Sequence, residues 1–134
     1  MARFKLEVIT PLGVALSEEV DHVSVPGAVG RFGVYSGHRP GLSMLGGGQV
    51  TYQMGSDSGD LYIRGGVAEI RPDGVTILAD DAHHTEDLDH DYATRLRAEV
   101  SAEFAKGEFL DEGRALRLAG DRAYAEDVLK RLAH

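Results

Sequence analysis

Ala68-Glu69-Ile70-Arg71-Pro72-Asp73-Gly74-Val75-Thr76-Ile77-Leu78 sets two short runs rich in apolar residues on either side of a Pro-Asp-Gly turn. Proline presets φ at such a corner and glycine accepts φ > 0, so the turn chemistry predicts a β-hairpin by mechanism. The same pattern recurs upstream. Phe4, Leu6 and Val8 alternate with Arg3, Lys5 and Glu7, and Val23 and Val25 alternate with His22 and Ser24. That period of two is the signature of half-buried strands. Val50, Tyr52 and Met54 repeat it before a turn over Gly55-Ser56-Asp57-Ser58-Gly59, after which Leu61 and Ile63 resume it. Eight to ten short strands in the first 85 residues predict a β-sandwich or flattened barrel.

Residue 85 is a compositional boundary. Fourteen of the 17 glycines and all four prolines precede it, while the remaining 49 residues hold three Gly and nine Ala. Val, Ile and Thr, which suit pleated sheet better than helix, divide 18 to three across the same point. After it the apolar period changes to four: Tyr92, Leu96, Val100 and Phe104 form one helical stripe, starting near the capping candidates Thr85 and Asp87. Gly107 interrupts this helix. A second begins near Asp111, with Leu116, Ala119 and Ala123 on one stripe and Tyr124, Val128 and Leu132 continuing it. The expected fold class is α+β: an N-terminal sandwich over 1–85, then an antiparallel two-helix hairpin over 86–134. A lone pair of helices is marginal in water, so the hairpin needs a surface, either the β-domain or another protein. Two such surfaces are what a switch requires.

The chain has 134 residues, 14 Lys+Arg against 22 Asp+Glu, and a net charge of -8 that divides evenly between the halves. That length excludes a two-lobed enzyme. The acidic balance argues against nucleic acid, which calls for a clustered basic surface. With no cysteine there is no disulfide framework, thiolate metal site or cysteine nucleophile. The first residues alternate charged and apolar side chains, unlike a signal peptide, and no window approaches the ~18 apolar residues of a membrane span. A soluble protein is expected, reaching a membrane only through a partner.

Candidate chemical sites are sparse. Asp80-Asp81-Ala82-His83-His84-Thr85-Glu86-Asp87-Leu88-Asp89-His90-Asp91 mixes carboxylate and imidazole like a metal site, but it lacks a defining ligand spacing. It reads as an exposed linker whose acids favour the following helix N-terminus. The glycines of 27–33 and 46–48 have neither a phosphate-loop ending nor a helix behind them, and read as turns. Ser17, Ser24, Ser36 and Ser43 have no nucleophile-elbow context. His38 in Ser36-Gly37-His38-Arg39-Pro40 reads, on composition alone, as a turn histidine bonding local backbone. Arg114, Arg117, Arg122, Lys130 and Arg131 form either a solvated helical face or a complement to an acidic partner.

Two blocks carry a family resemblance. Val25-Pro26-Gly27-Ala28-Val29-Gly30-Arg31-Phe32-Gly33-Val34-Tyr35-Ser36-Gly37-His38-Arg39-Pro40 and Gly65-Gly66-Val67-Ala68-Glu69-Ile70-Arg71-Pro72-Asp73-Gly74-Val75-Thr76-Ile77-Leu78-Ala79-Asp80 closely resemble the epsilon subunit of F-type ATP synthases, in the family's order and spacing. The resemblance covers nearly the whole chain. It implies a noncatalytic rotor subunit in which the sandwich docks on the gamma subunit of the central stalk and on the polar loops of the c-ring. It assigns the ring- and gamma-facing turn to Arg31, Phe32, Tyr35, His38 and Arg39. It implies that the hairpin folds on the sandwich or extends into the catalytic head among the alpha and beta subunits. There the basic residues Arg114, Arg117, Arg122, Lys130 and Arg131 would meet acidic beta-subunit segments and hinder hydrolysis.

This sequence departs from the family in two places. Some members bind ATP through Ile/Leu-Asp-x-x-Arg-Ala; here Leu88, Asp89 and Ala93 keep that motif, but Tyr92 replaces its arginine. The guanidinium best suited to phosphate is gone, so no cofactor is expected. Leu45-Gly46-Gly47-Gly48 stands where Leu-x-Pro-Gly is common, which implies a looser turn. The resulting expectation is a peripheral protein on the cytoplasmic face of a bacterial inner membrane, coupling proton-driven ring rotation to gamma and braking ATP hydrolysis. Its rivals are a free-standing β-sandwich binding module with a regulatory tail and a metal-dependent enzyme built on His83 and His84.

Overall fold

The structure is a computed structural model that describes residues 2–133. Met1 and His134, the outer ends of the two expected domains, lie outside the described residues. Ten strands come first: β1 (Phe4–Thr10), β2 (Gly13–Val20), β3 (His22–Gly27), β4 (Gly30–Tyr35), β5 (Gly41–Leu45), β6 (Gly48–Met54), β7 (Asp57–Ile63), β8 (Gly66–Arg71), β9 (Gly74–Ala79) and β10 (Ala82–His84). They run in the order β10-β7-β6-β3-β5-β8-β9-β1-β2, with β4 joined to β3 alone. The sheet folds over itself as a β-sandwich. Leu6, Val8, Val23, Val25, Val50, Leu61, Ile63, Val75 and Ile77 fill its interior. Each contributes about 1.5–3 kcal/mol by leaving water. Because side chains alternate across a strand, this inner set leaves the intervening residues on the outer faces.

Two turns differ from expectation. The β6–β7 turn is only Gly55-Ser56, Met54 pairs with Asp57, and Gly59 lies within β7. Gly55 accepts φ +65°, which lets two residues reverse the chain, and the aromatic ring of Tyr52 covers Gly59. The Pro72-Asp73 hairpin forms as expected, with Arg71 opposite Gly74. Gly74, however, is not at positive φ. It sits beside β1, in the one parallel pairing among the described residues, where a Cβ would come within 2.7 Å of the Lys5 carbonyl.

A 3-10 turn over Thr85–Asp87 leads to α1 (His90–Ala105) and α2 (Glu112–Leu132). The cap of α1 is Asp89, whose carboxylate accepts from the Tyr92 amide at 3.0 Å, and not Thr85 or Asp87. Thr85 donates instead to Asp60, which ties the linker to β7. Asp111 caps α2 by accepting from the Arg114 amide at 2.8 Å. On α1 the buried positions are Ala93, Leu96 and Val100, while Tyr92 is half-buried and Phe104 is exposed beneath Arg122. On α2 the buried positions are Gly120, Asp121, Tyr124, Ala125 and Val128; Ala119 and Leu132 face solvent, off the expected stripe. The hairpin packs back on the outer side of β6 and β7, where Tyr62 enters a cluster with Ala93, Leu96, Tyr124, Ala125 and Val128.

Candidate functional site

The loop between β4 and β5 lies at the end of the sandwich that also holds the Pro72-Asp73 turn. Tyr35 and Arg39 are exposed there, whereas Arg31, exposed, and Phe32, half-buried against the core, sit at the opposite end of β4, where Arg31 pairs with Pro26 beside the β3–β4 turn. Tyr35 stacks on His22 with ring centroids 4.9 Å apart. His38 does not point outward with them. Its Nδ1 lies 2.5 Å from the Tyr35 carbonyl and its Nε2 lies 2.7 Å from the Arg71 carbonyl, while its ring meets Phe4 edge-on. The imidazole therefore pins the loop to the β8–β9 hairpin, and the loop's outward surface belongs to its neighbours.

The second surface is the outer face of the five strands β5, β8, β9, β1 and β2. Register places Met44 beside Val67, Val67 beside Leu78, Leu78 beside Ile9 and Ile9 beside Val14. Paired residues share a face, so these five form one apolar row across the sheet. Met44 is 53% exposed, Leu78 52% and Val14 63%. The next row is Leu42, Glu69, Thr76, Glu7 and Ser17, which puts two carboxylates alongside the apolar one. The hairpin covers the other side of the molecule and reaches only the margin of this row, where Leu116 and Arg117 share a cleft of about 230 Å³ with Met44 and Val67. Val67, Glu69, Thr76 and Leu78 fall within the second family-like block, but only the register sets them in rows with Met44, Ile9 and Val14.

The third surface is the seam between hairpin and sandwich. Arg64, at the end of β7, donates from Nε to Asp121 Oδ1 at 3.1 Å and from Nη1 to the Tyr92 hydroxyl. Asp81 Oδ2 lies 3.9 Å from Nη1. Burial disfavours the Arg64 charge, and the hydrogen bond and field of Asp121 more than offset it, raising the guanidinium pKa. Gln49 donates its amide to Asp127 Oδ2 at 3.1 Å. Burial pushes the Tyr124 phenol up. Sequence reading missed Arg64, Asp121, Gln49 and Asp127. The available signal was Asp121, a charge beside the apolar positions of α2.

The five basic residues singled out on α2 are all exposed. Arg114 pairs with Glu103 of α1 at 2.7 Å, and Arg122 lies 4.9 Å above the Phe104 ring. Lys130 and Arg131 border a cleft with Gln49, Tyr62 and Asp127. Of the ATP-like motif, Leu88 packs against the Tyr62 cluster, Asp89 is the helix cap and Ala93 is buried. The acidic and histidine-rich stretch is not a wholly exposed linker: Ala82–His84 is β10, paired with β7. His83 lies 3.0 Å from Asp81 and His84 lies 2.8 Å from the Ala15 carbonyl. Among the described residues no group of three or more His, Asp or Glu side chains is placed to hold a metal.

Residues 3–85 match the family described as ATP synthase, Delta/Epsilon chain, beta-sandwich domain. Among curated relatives, the ATP synthase epsilon chain of Nitratidesulfovibrio vulgaris (strain DP4) is 38% identical over 111 residues, covering 82% of this chain and 83% of its own. That of Bradyrhizobium sp. (strain BTAi1) is 42% identical over 106 residues, covering 79% and 76%. That of Magnetococcus marinus is 46% identical over 92 residues, covering 69% and 67%. A chain in the cryo-EM structure of the Euglena gracilis mitochondrial ATP synthase, OSCP/F1/c-ring, shares the fold with a TM-score of 0.73 at 23% identity, covering all of this chain and 83% of that one. A capped helical hairpin seated on a ten-stranded sandwich, with matching sequence through both halves of the β-domain, agrees with all of these, and the chain belongs to the ATP synthase epsilon-chain family.

Proposed function

We propose that this chain is a noncatalytic rotor subunit of a proton-transporting F-type ATP synthase, peripheral on the cytoplasmic face of a bacterial membrane. It joins the turning c-ring to the gamma subunit, and its hairpin restrains ATP hydrolysis. The observation that carries the docking half of this reading is the Met44-Val67-Leu78-Ile9-Val14 row. An apolar line across five strands, bare while the hairpin covers the opposite side, fits an apolar stripe on a partner, and Glu69 and Glu7 favour basic flanks on it. Gamma is assigned to this face. The exposed end loop, with Tyr35 and Arg39, is assigned to the polar loops of the c-ring, together with Arg31 at the far end of β4.

The braking half is a population shift. Moving the hairpin from 1:99 to 99:1 in favour of the catalytic head needs about 5.5 kcal/mol of differential affinity. The exposed α2 cations would meet acidic beta-subunit segments, Arg114 exchanging Glu103 for one of them and Arg122 leaving the Phe104 ring, and the Tyr62 cluster is the surface given up. No cofactor is required for either task.

The test of docking is paired replacement of Met44→Glu and Leu78→Glu in the assembled enzyme. Both side chains are half exposed, so the fold should survive while recovery with gamma is lost. Retention of gamma would remove this face from the reading. For the brake, truncation after Asp87 should raise hydrolysis with the complex intact, and unchanged hydrolysis would overturn it.

A further inference from the structure

Arg64 stands where both helices cross the end of β7, and its guanidinium is divided between them: Asp121 on α2 and Tyr92 on α1. Among the described residues the other hydrogen bond of the seam reaches α2 alone, through Asp127 on the Gln49 amide; the His83 ring rests against Tyr92 and Tyr124 without a hydrogen bond to either. The Tyr62 cluster touches both helices but is apolar and fixes no register. Asp121 is 8% exposed, the buried charged side chain among the described residues. A carboxylate in that position is costly without a partner, and Arg64 supplies one with a planar fork.

We infer that Arg64 is the latch that holds the hairpin closed, a single sandwich side chain that clamps α1 and α2 together through Tyr92 and Asp121 with no bound ligand. The latch rests on the reading of the hairpin as a movable element. Lifting either helix breaks one arm, and lifting both leaves Arg64 with only the distant Asp81 carboxylate. Both charges regain water when the seam opens, so the latch is weaker than a dry ion pair and softens as salt rises.

The Gln49 amide reports the closed seam directly, because Asp127 of α2 is its hydrogen-bond partner. Its hydrogen exchange would be followed by NMR in the full chain, with the core amide of Ile77 as the control for global unfolding. Arg64→Gln should speed Gln49 exchange about tenfold or more while leaving Ile77 unchanged, since it strands Asp121. Asp121→Asn should act similarly, and the double variant should be little worse than either single one. Arg64→Lys, which keeps charge without the fork, should fall between. Unchanged Gln49 exchange in Arg64→Gln overturns the latch, as does equal acceleration of Gln49 and Ile77. Slowing of wild-type Gln49 exchange by added ATP also overturns it, because the closed state would then need a ligand. Arg64 lies off the apolar row, so Arg64→Gln should still assemble with gamma. Failure of wild-type assembly would sink the rotor reading, whereas normal assembly with unmoved exchange would sink the latch alone.

Discussion

Gly47 and Gly120 meet backbone to backbone: the place a Cβ would occupy on Gly47 is already filled by the Gly120 carbonyl. The β5–β6 turn is thus a seat for α2, not a loosened corner. Gly47→Ala must lift the helix, and overpacking of this kind costs about 1–3 kcal/mol. The cost should fall on hairpin docking and spare the sandwich. Limited proteolysis checks it: cleavage around Glu108 and Phe109 should accelerate severalfold, with the resistance of the β-domain retained. Wild-type rates would mean that the seam relaxes freely.

Gly74 gives a second test. A Cβ there would lie 2.7 Å from the Lys5 carbonyl, so Gly74→Ala pushes β9 off β1 and should lower sandwich stability by about 1–3 kcal/mol in urea unfolding. Pro72→Ala, which only frees the unfolded chain, should cost about 0.4–1 kcal/mol. The reverse order would restore turn geometry as the reason for glycine.

These two glycines show how far the sequence could be read. The period-two runs around Val23, Val50 and Val75 were legible because alternation is a local consequence of burying one strand face. So was the start of the second helix near Asp111, whose carboxylate proves to be its cap. Gly74 was found but given the wrong cause, because its neighbour is Lys5, about 70 positions away in the chain. Asp89 was passed over as a cap, since several acids and Thr85 compete within the same few residues and local pattern does not rank them. The apolar row was invisible for a different reason. Its members come from five strands, and only the register sets Met44, Leu78 and Val14 in line.

Asp21 lies at the same end of the sandwich as the β4–β5 loop, next to His22, which stacks on Tyr35. Its carboxylate accepts from the Gly55 amide at 2.5 Å and from Arg3 Nε at 3.2 Å. The Gly55 hydrogen bond first, and Arg3 second, hold its pKa below the ordinary 3.8. A depressed carboxylate contributes stability that is present above its unfolded pKa and is lost as pH falls through the folded one. Asp21→Asn should therefore lower the urea midpoint at neutral pH, and its gap from wild type should close as pH drops through about 4 and below. A gap that persists in acid would refute the ionic origin.

Asp89 separates a capping role from a ligand role. Asparagine caps as well as aspartate, whereas alanine loses the bond to the Tyr92 amide and costs about 0.5–2 kcal/mol. Asp89→Asn should leave thermal unfolding nearly unchanged and Asp89→Ala should lower it. Equal losses in both variants would show that the charge, not the cap, is what α1 needs.

Tyr92 completes the same logic at the seam. Its hydroxyl receives Arg64, so Tyr92→Arg would set two guanidiniums against each other, and like charges at short range in a half-buried site repel strongly. Asp121 satisfies one of them and leaves the other only the more distant Asp81 carboxylate. The variant should therefore open, with faster Gln49 exchange than wild type at low salt. A polyphosphate supplies the missing negative charge and bidentate acceptors, so added ATP should slow that exchange in Tyr92→Arg while leaving wild type unmoved. If the variant stays closed without ATP, the arginine has found another carboxylate, and Tyr92 is not what frees this hairpin from a ligand.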